Sequence, residues 1–240
     1  IALMNEVQDL LRYVFETSNQ LTIPVSGTGS AGMEAALCNF IEPGDAALIG
    51  VNGCFGERLC DMAGRYGAEV RRLDRPWGEV FTLEEIEAAL QAKPAKIVAL
   101  VHAETSTGAM QPLDGVADLV HSYGGLLLVD CVTSLGGAPV RVDANGIDIA
   151  YSGTQKCLSC PPGLAPLTIG PRARDVLQTR TTKVANWYLD LTMVANYWGA
   201  SRTYHHTAPI SMNYALREAL RLVQEEGLAA RCARHSANAE

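Results

Sequence analysis

LTIPVSGTGSAGMEAALCNF, residues 21–40, decides the fold. Leu21 to Val25 form a short apolar run suited to a buried strand. Ser26-Gly27-Thr28-Gly29-Ser30-Ala31-Gly32 breaks that run, and MEAALCNFI (33–41) continues as a helix. A strand joined to a helix in this way opens a βαβ unit, which implies a parallel sheet. Glycines at the junction let the backbone approach an anion, and the helix start offers free N–H groups and a favourable dipole. The hydroxyls of Ser26, Thr28 and Ser30 add donors, so the turn reads as a phosphate cup. The same residues spell G-x-G-x-x-G, the dinucleotide fingerprint, and their spacing alone also fits a plain tight turn.

Outward from this stretch, strands and helices alternate. AALIGV (46–51), GAEVRRL (67–73), KIVALVH (96–102), GLLLVD (125–130), IDIAYS (147–152) and LAPLTIG (164–170) read as further strands. Residues 2–17 set Leu3, Val7, Leu10, Leu11 and Val14 at helical spacing. Further helices are expected near 55–66, over 81–92, at 113–123 and near 171–179, with one long amphipathic helix after 209. The 81–92 helix begins through Thr82 with Glu85 three residues on, a capping box. The expected fold is α/β: a mainly parallel seven-stranded sheet flanked by helices. Ligands of such sheets sit at the carboxyl ends of the strands.

The bulk numbers agree with one large α/β domain, or with such a domain plus a piece of a second. The chain has 240 residues, 48% of them hydrophobic and only 19% charged, which excludes a disordered protein. A net charge of −7 argues against a nucleic-acid partner. Seven cysteines, at 38, 54, 60, 131, 157, 160 and 232, are an odd and scattered set that suggests reduced thiols and a cytoplasmic location. No apolar run reaches the roughly 18 residues of a membrane helix, so no membrane partner is expected. Ile1 and the final RCARHSANAE, which stops inside a helical pattern, suggest that both ends are artificial.

Two strand ends carry chemistry. Asp130 closes GLLLVD, and a carboxylate there is costly unless it has a cationic partner. A protonated pyridine nitrogen would be such a partner and would remain an electron sink; a structural aspartate capping the next turn is the alternative. Lys156 lies in YSGTQKCLSCPPG, 26 positions after Asp130, in a loop of small residues. Partial burial there would favour the neutral amine that forms a Schiff base. The ordered set of phosphate cup, strand-end aspartate and loop lysine is far more specific than any one element. The dinucleotide reading is weaker, because the second strand ends in Gly50-Val51-Asn52 without an acid for a ribose.

At these residues the chain resembles a known family. SGTGSAGMEAAL, EPGDAALIGVNGCFGER, HAETSTGAMQPLDG, LLLVDCVTSLGG, GIDIAYSGTQKCLSCPPG and NYWGASRTYHHT look like the class V, fold type I aminotransferases, most of all the alanine–glyoxylate and serine–pyruvate type. The resemblance runs over nearly all of the chain. It implies pyridoxal 5'-phosphate as cofactor, Lys156 as its Schiff-base lysine and proton shuttle, and Asp130 on the pyridine nitrogen. It implies Thr28, Gly29 and Ser30 on the phosphate with help from Gln155, Thr105 near the ring hydroxyl, and Phe55 stacked on the ring. Tyr204 and Thr207 would reach the phosphate of a neighbouring subunit, so a homodimer is implied. Residues 1–208 would be the cofactor-binding large domain with its N-terminal arm cut short. Residues 209–240 would lead toward a small C-terminal domain, whose arginine grips the substrate carboxylate.

The activity so implied is ping-pong transfer of an amino group from alanine or serine to glyoxylate or another 2-oxo acid. Two positions depart from the animal enzymes, which usually carry histidine at Ser30 and tryptophan at Phe55; a hydroxyl still donates and a benzene ring still stacks. A cysteine-desulfurase-type lyase, a cofactor-binding fragment without turnover and a nicotinamide-dependent dehydrogenase are the other readings weighed. Cys157 and Cys160 have no second pair at zinc spacing, so no metal site is expected. His102 is a candidate for a supporting role, His205 and His206 for the phosphate-contact loop, and His121 and His235 for ordinary surface positions. Glu104 stays without an assigned role.

Overall fold

All seven expected strands form and join in one sheet. The computed structural model describes residues 1–239. The strands are β1 (Leu21–Ser26), β2 (Ala46–Val51), β3 (Glu69–Asp74), β4 (Ile97–Val101), β5 (Leu126–Asp130), β6 (Ile149–Tyr151) and β7 (Leu164–Ile169), in the order β1-β7-β6-β5-β4-β2-β3. Neighbours from β3 through β6 pair in parallel, while β7 runs antiparallel to both β6 and β1. The helices are α1 (Ala2–Phe15), α2 (Gly29–Phe40), α3 (Cys54–Arg65), α4 (Leu83–Ala92), α5 (Val116–Ser122), α6 (Pro171–Gln178), α7 (Leu191–Trp198), α8 (Ile210–Glu226) and α9 (Leu228–Ala239).

Both faces of the sheet are covered, which is why its central strands read as continuous apolar runs. Along β4 and β5, Val98, Leu100, Leu127 and Val129 meet one core, built with side chains of α1, α4, α5 and α8. Ile97, Ala99, Leu126 and Leu128 point the other way into a second core with α2, α3, α6 and α7. The alternation follows from the two-residue period of a strand. Thr82 and Glu85 form the expected capping box at the start of α4.

Three details differ from the sequence expectation. Helix α2 starts at Gly29, so the second half of the glycine-rich turn is itself the first helical turn. Helix α7 was not expected; its start is pinned by the buried Asn39, which accepts from Leu191 N–H at 2.9 Å and donates to the Leu189 carbonyl at 2.7 Å. The long tail helix is two helices, broken at Gly227, whose φ of +81° ends α8. No helix among the described residues is long and apolar enough to cross a membrane.

Helix α3 supplies a sharp test of packing. A Cβ on Gly56 would stand 2.6 Å from the Gly50 carbonyl oxygen, a backbone atom that cannot turn aside. On exposed Gly64 of the same helix it would meet nothing nearer than 3.9 Å. Gly56→Ala is therefore expected to cost about 1–3 kcal/mol, and Gly64→Ala to stabilise by about 0.5–1 kcal/mol through helix propensity. Denaturant midpoints of the two variants should move in opposite directions.

Candidate active site

The carboxyl ends of β1, β2, β5 and β6 open on a single pocket of about 180 Å³, lined by Thr28, Gly29, Ser30, Met33, Phe55, Arg58, Asp130, Val132, Gln155 and Lys156. Seven of these are residues singled out from the sequence. A larger groove, about 420 Å³, runs along β1, α6 and α7, but the one charged side chain lining it is Arg174, which is taken up by Gln20 at 3.0 Å. The smaller pocket holds the chemistry.

Asp130 forms its floor. It ends β5 and is 3% exposed. One carboxylate oxygen accepts from the Tyr151 hydroxyl at 2.7 Å and the other from Val132 N–H at 2.8 Å. Burial still pushes its carboxyl up from 3.8 to about 6, with the Glu104 carboxylate adding to the rise and Arg58 opposing it. The Tyr151 phenol is driven well upward by its own burial and by Asp130, so the shared proton stays on the tyrosine oxygen. Among the described residues no cation forms an ion pair with this carboxylate, and a positive group entering the pocket beside it would lower its pKa and be held there.

The start of α2 is the second feature. Gly27 has φ +145°, a conformation that favours glycine, and a Cβ there would stand 2.5 Å from that of Ala31. Thr28 occupies the N-cap, yet its side chain makes no capping bond. The N–H groups of Gly29 and Ser30, at the first helical positions, have no intrahelical acceptor, and both residues line the pocket. Gly29 is buried against Val132, 3.1 Å from an added Cβ. The Ser30 hydroxyl accepts from Arg58 at 3.3 Å, and the Arg58 guanidinium lies 4.7 Å above the Phe55 ring. This is a donor set for a compact anion.

Phe55 is placed by a residue that sequence reasoning left without a role. Buried Glu104 accepts from Phe55 N–H at 3.0 Å and from the Ser106 hydroxyl at 2.7 Å, and so caps α3 from the loop after β4. Lys156 follows β6 and, contrary to the expected partial burial, its side chain is exposed in the single chain. The turn that carries it is tied down just beyond: Arg231 of α9 donates to the Cys157 carbonyl at 2.6 Å and to the Gly136 carbonyl at 3.0 Å.

Thr105, Tyr204 and Thr207 are not among the lining residues. The Thr105 hydroxyl pairs with that of Thr133 at 2.5 Å, next to the lining residue Val132. Tyr204 is 74% exposed and its hydroxyl lies 3.3 Å from that of Thr207. His102 is buried and neutral, pushed down to about 4 by desolvation; its backbone N–H holds the Asp130 carbonyl at 3.0 Å. His121 and His235 are not plain surface residues. His121 bonds buried Asp148 at 2.7 Å, and His235 is half-buried on the Arg231 carbonyl at 2.9 Å. No cysteine lines the pocket; Cys131 lies beneath it with its thiol driven upward by burial. No group of three metal-ligating side chains occurs among the described residues.

This arrangement can be set beside known proteins. The family model described as "Aminotransferase class-V" matches residues 1–240. The chain belongs to the class-V aminotransferase family. An alanine–glyoxylate aminotransferase of Callithrix jacchus is 46% identical over 229 residues, 94% of this chain and 55% of that protein. An (S)-ureidoglycine–glyoxylate transaminase of Bacillus subtilis is 42% identical, over 97% of this chain and 60% of that protein. The solved structure of an alanine–glyoxylate aminotransferase from Nostoc sp. superposes with a TM-score of 0.98 at 61% identity, covering 99% of this chain and 63% of that one. The chain thus spans less than two thirds of the length of these relatives.

Class-V aminotransferases use pyridoxal phosphate. The pocket fits that group on two observations: the uncompensated carboxylate of Asp130 suits a protonated ring nitrogen, and the uncapped start of α2 suits a phosphate.

The Asp130 geometry has a measurable consequence. A carboxyl whose folded pKa exceeds its ordinary value binds its proton more tightly folded than unfolded. Stability of the cofactor-free chain therefore falls as pH rises from 3.8 to about 6 and stays lower above that. Asp130→Asn removes the charge and is expected to stabilise the cofactor-free chain by about 2–3 kcal/mol above pH ~6, with little gain below pH ~4. Urea unfolding at both pH values checks it; an equal gain at both would rule out burial of the charge as the cause.

Proposed function

We propose that this chain forms the cofactor-binding part of an aminotransferase that moves an amino group from alanine or serine to glyoxylate or another 2-oxo acid. The observation that carries this reading is the meeting of Asp130, the uncapped start of α2 and Lys156 in one pocket. Glyoxylate as acceptor is supported by its occurrence in the names of relatives with two different amino donors.

Thr28, Gly29 and Ser30, with Gln155, would hold the cofactor phosphate through backbone N–H and hydroxyl donors. Phe55 would stack on the ring and Thr105 would lie near its hydroxyl. Asp130 would keep the ring nitrogen protonated, its own oxygens steadied by Tyr151 and Val132. Pyridoxal phosphate supplies, when bound, a ring that draws off the electron pair left when a proton leaves the amino-acid Cα. Lys156 Nζ would hold the cofactor covalently and would serve as the base that takes the proton leaving the amino-acid Cα. Its turn being pinned by Arg231 supports this, since the amine then swings on its own side chain while its backbone stays fixed.

A homodimer is supported by the exposed aromatic side chains Trp187, Tyr188, Tyr204 and Tyr214, with Ile210, which a second copy would cover. Tyr204 and Thr207 would then reach the phosphate bound by the other subunit, and the same contact would bury the open side of Lys156. Residues 1–208 act as the large domain in this reading, and 209–240 as the start of a passage to a small domain. The scattered free thiols support a reducing, cytoplasmic location.

The test is an absorbance spectrum of the full-length protein with pyridoxal phosphate, before and after borohydride, beside Lys156→Ala. A visible band that borohydride fixes, and that the substitution abolishes, is the expected result. Absence of any such band in the wild type overturns the reading.

A further inference from the structure

His205 and His206, beyond α7, are not among the residues lining the pocket. His206 Nε2 lies 2.6 Å from the Ser26 hydroxyl oxygen, and its Nδ1 lies 2.8 Å from Nδ1 of His205. Tyr188 and Tyr197 flank the His206 ring at 5.0 and 5.4 Å. His205 is 8% exposed and stacks against Trp187, centroids 4.4 Å apart. Its Nε2 is buried without a hydrogen-bond partner.

Two facing Nδ1 atoms can bond only if one bears a hydrogen and the other does not, so the hydrogen positions of the two rings are locked together. With the hydrogen on His205 Nδ1, the orphaned His205 Nε2 is a bare acceptor. His206 then carries its hydrogen on Nε2 and donates it to Ser26. The reverse assignment would bury an unpaired N–H, a rarer defect than an unpaired acceptor. Donation therefore runs from His205 through His206 to Ser26.

Ser26 is the last residue of β1. The chain turns at Gly27, whose N–H is held by the Gly163 carbonyl at 3.0 Å, and the open N–H groups of Gly29 and Ser30 follow directly. The sheet holds the Ser26 backbone opposite Leu164, and the bond from its side chain to His206 adds a restraint immediately before that turn.

We propose that His206, oriented by His205, is a positioning residue for the phosphate-binding turn: by anchoring Ser26 it keeps the start of α2 aimed at the phosphate. The inference rests on the reading of that turn as the phosphate site. Its test uses two probes, pyridoxal phosphate and pyridoxal, the second lacking the phosphate. Both are titrated into the full-length wild type, Ser26→Ala, His206→Phe, His206→Gln and the Ser26→Ala/His206→Phe double variant. Phenylalanine keeps the aromatic packing without the hydrogen bond, and glutamine keeps an amide able to donate.

Ser26→Ala and His206→Phe are each expected to bind pyridoxal phosphate about tenfold more weakly, the loss of one hydrogen bond, while pyridoxal binding is unchanged. The double variant should be no weaker than the worse single one, and His206→Gln should recover most of the loss. Variants like the wild type, equal losses toward both probes, or losses that add in the double variant overturn the proposal. Ser26→Ala removes only one oxygen, so it decides the matter if His206→Phe fails to fold. A wild type that does not prefer pyridoxal phosphate over pyridoxal overturns the phosphate-site reading itself, and is thereby distinguished from failure of the His206 proposal alone.

Discussion

The structure is organised around one costly group, the carboxylate of Asp130 at the end of β5. Buried charge is tolerated only where its hydrogen bonds are made and a counter-charge is at hand. The chain provides the first condition through Tyr151 and Val132, and leaves the second open. Tyr151 comes from β6, the strand beside β5, in register opposite Asp130. The carboxylate is thus held by the sheet itself rather than by a loop. The rise of its pKa to about 6 measures what remains uncompensated. A cation delivered to this floor gains more than it would at the surface, because the attraction is not screened by water.

Around that floor the sheet's carboxyl edge brings together segments far apart in sequence. The turn after β1 carries the anion donors, the start of α3 after β2 carries Phe55 and Arg58, and the turn after β6 carries Lys156. None of them is left to solvent alone. Glu104, from the loop after β4, fixes the first turn of α3, and Arg231, from α9, fixes the backbone behind Lys156. Side chains outside the pocket lining therefore set the geometry of side chains inside it, which is the condition for a site held closer than ordinary loop motion allows.

Much of this is legible from residues in order, and the limits are physical. The strands stand out because a sheet covered on both faces demands unbroken apolar runs such as GLLLVD. Asp130 and Lys156 stand out because strand ends are where such sheets bind ligands. Arg58 does not, since which face of α3 it takes depends on packing. Tyr151 reads as core, and its hydroxyl contact depends on the register of β5 and β6. Helix α7 is only eight residues long, with Thr192 and Asn196 as the polar members of LTMVANYW, too short a run for its period to stand out. A single glycine inside a helical pattern does not announce a break, yet Gly227 makes one. Ser26 and His206 are 180 positions apart, and nothing local links them.

The starts of α2, α3 and α4 show how one device is put to different uses. Helix α4 satisfies its own first N–H groups with Thr82 and Glu85, four residues that close on themselves. Helix α3 has only Gly53 at its N-cap and borrows a carboxylate, Glu104, from another strand's loop. Helix α2 has Thr28, a residue well able to cap, and does not use it. Leaving donors unsatisfied beside a buried carboxylate would be a defect in a helix that only had to fold. It makes sense where both are complements to one ligand, an anion at the helix start and a cation at Asp130. The two ends of the pocket thus favour opposite charges on one molecule, a pairing that a phosphorylated pyridine would satisfy.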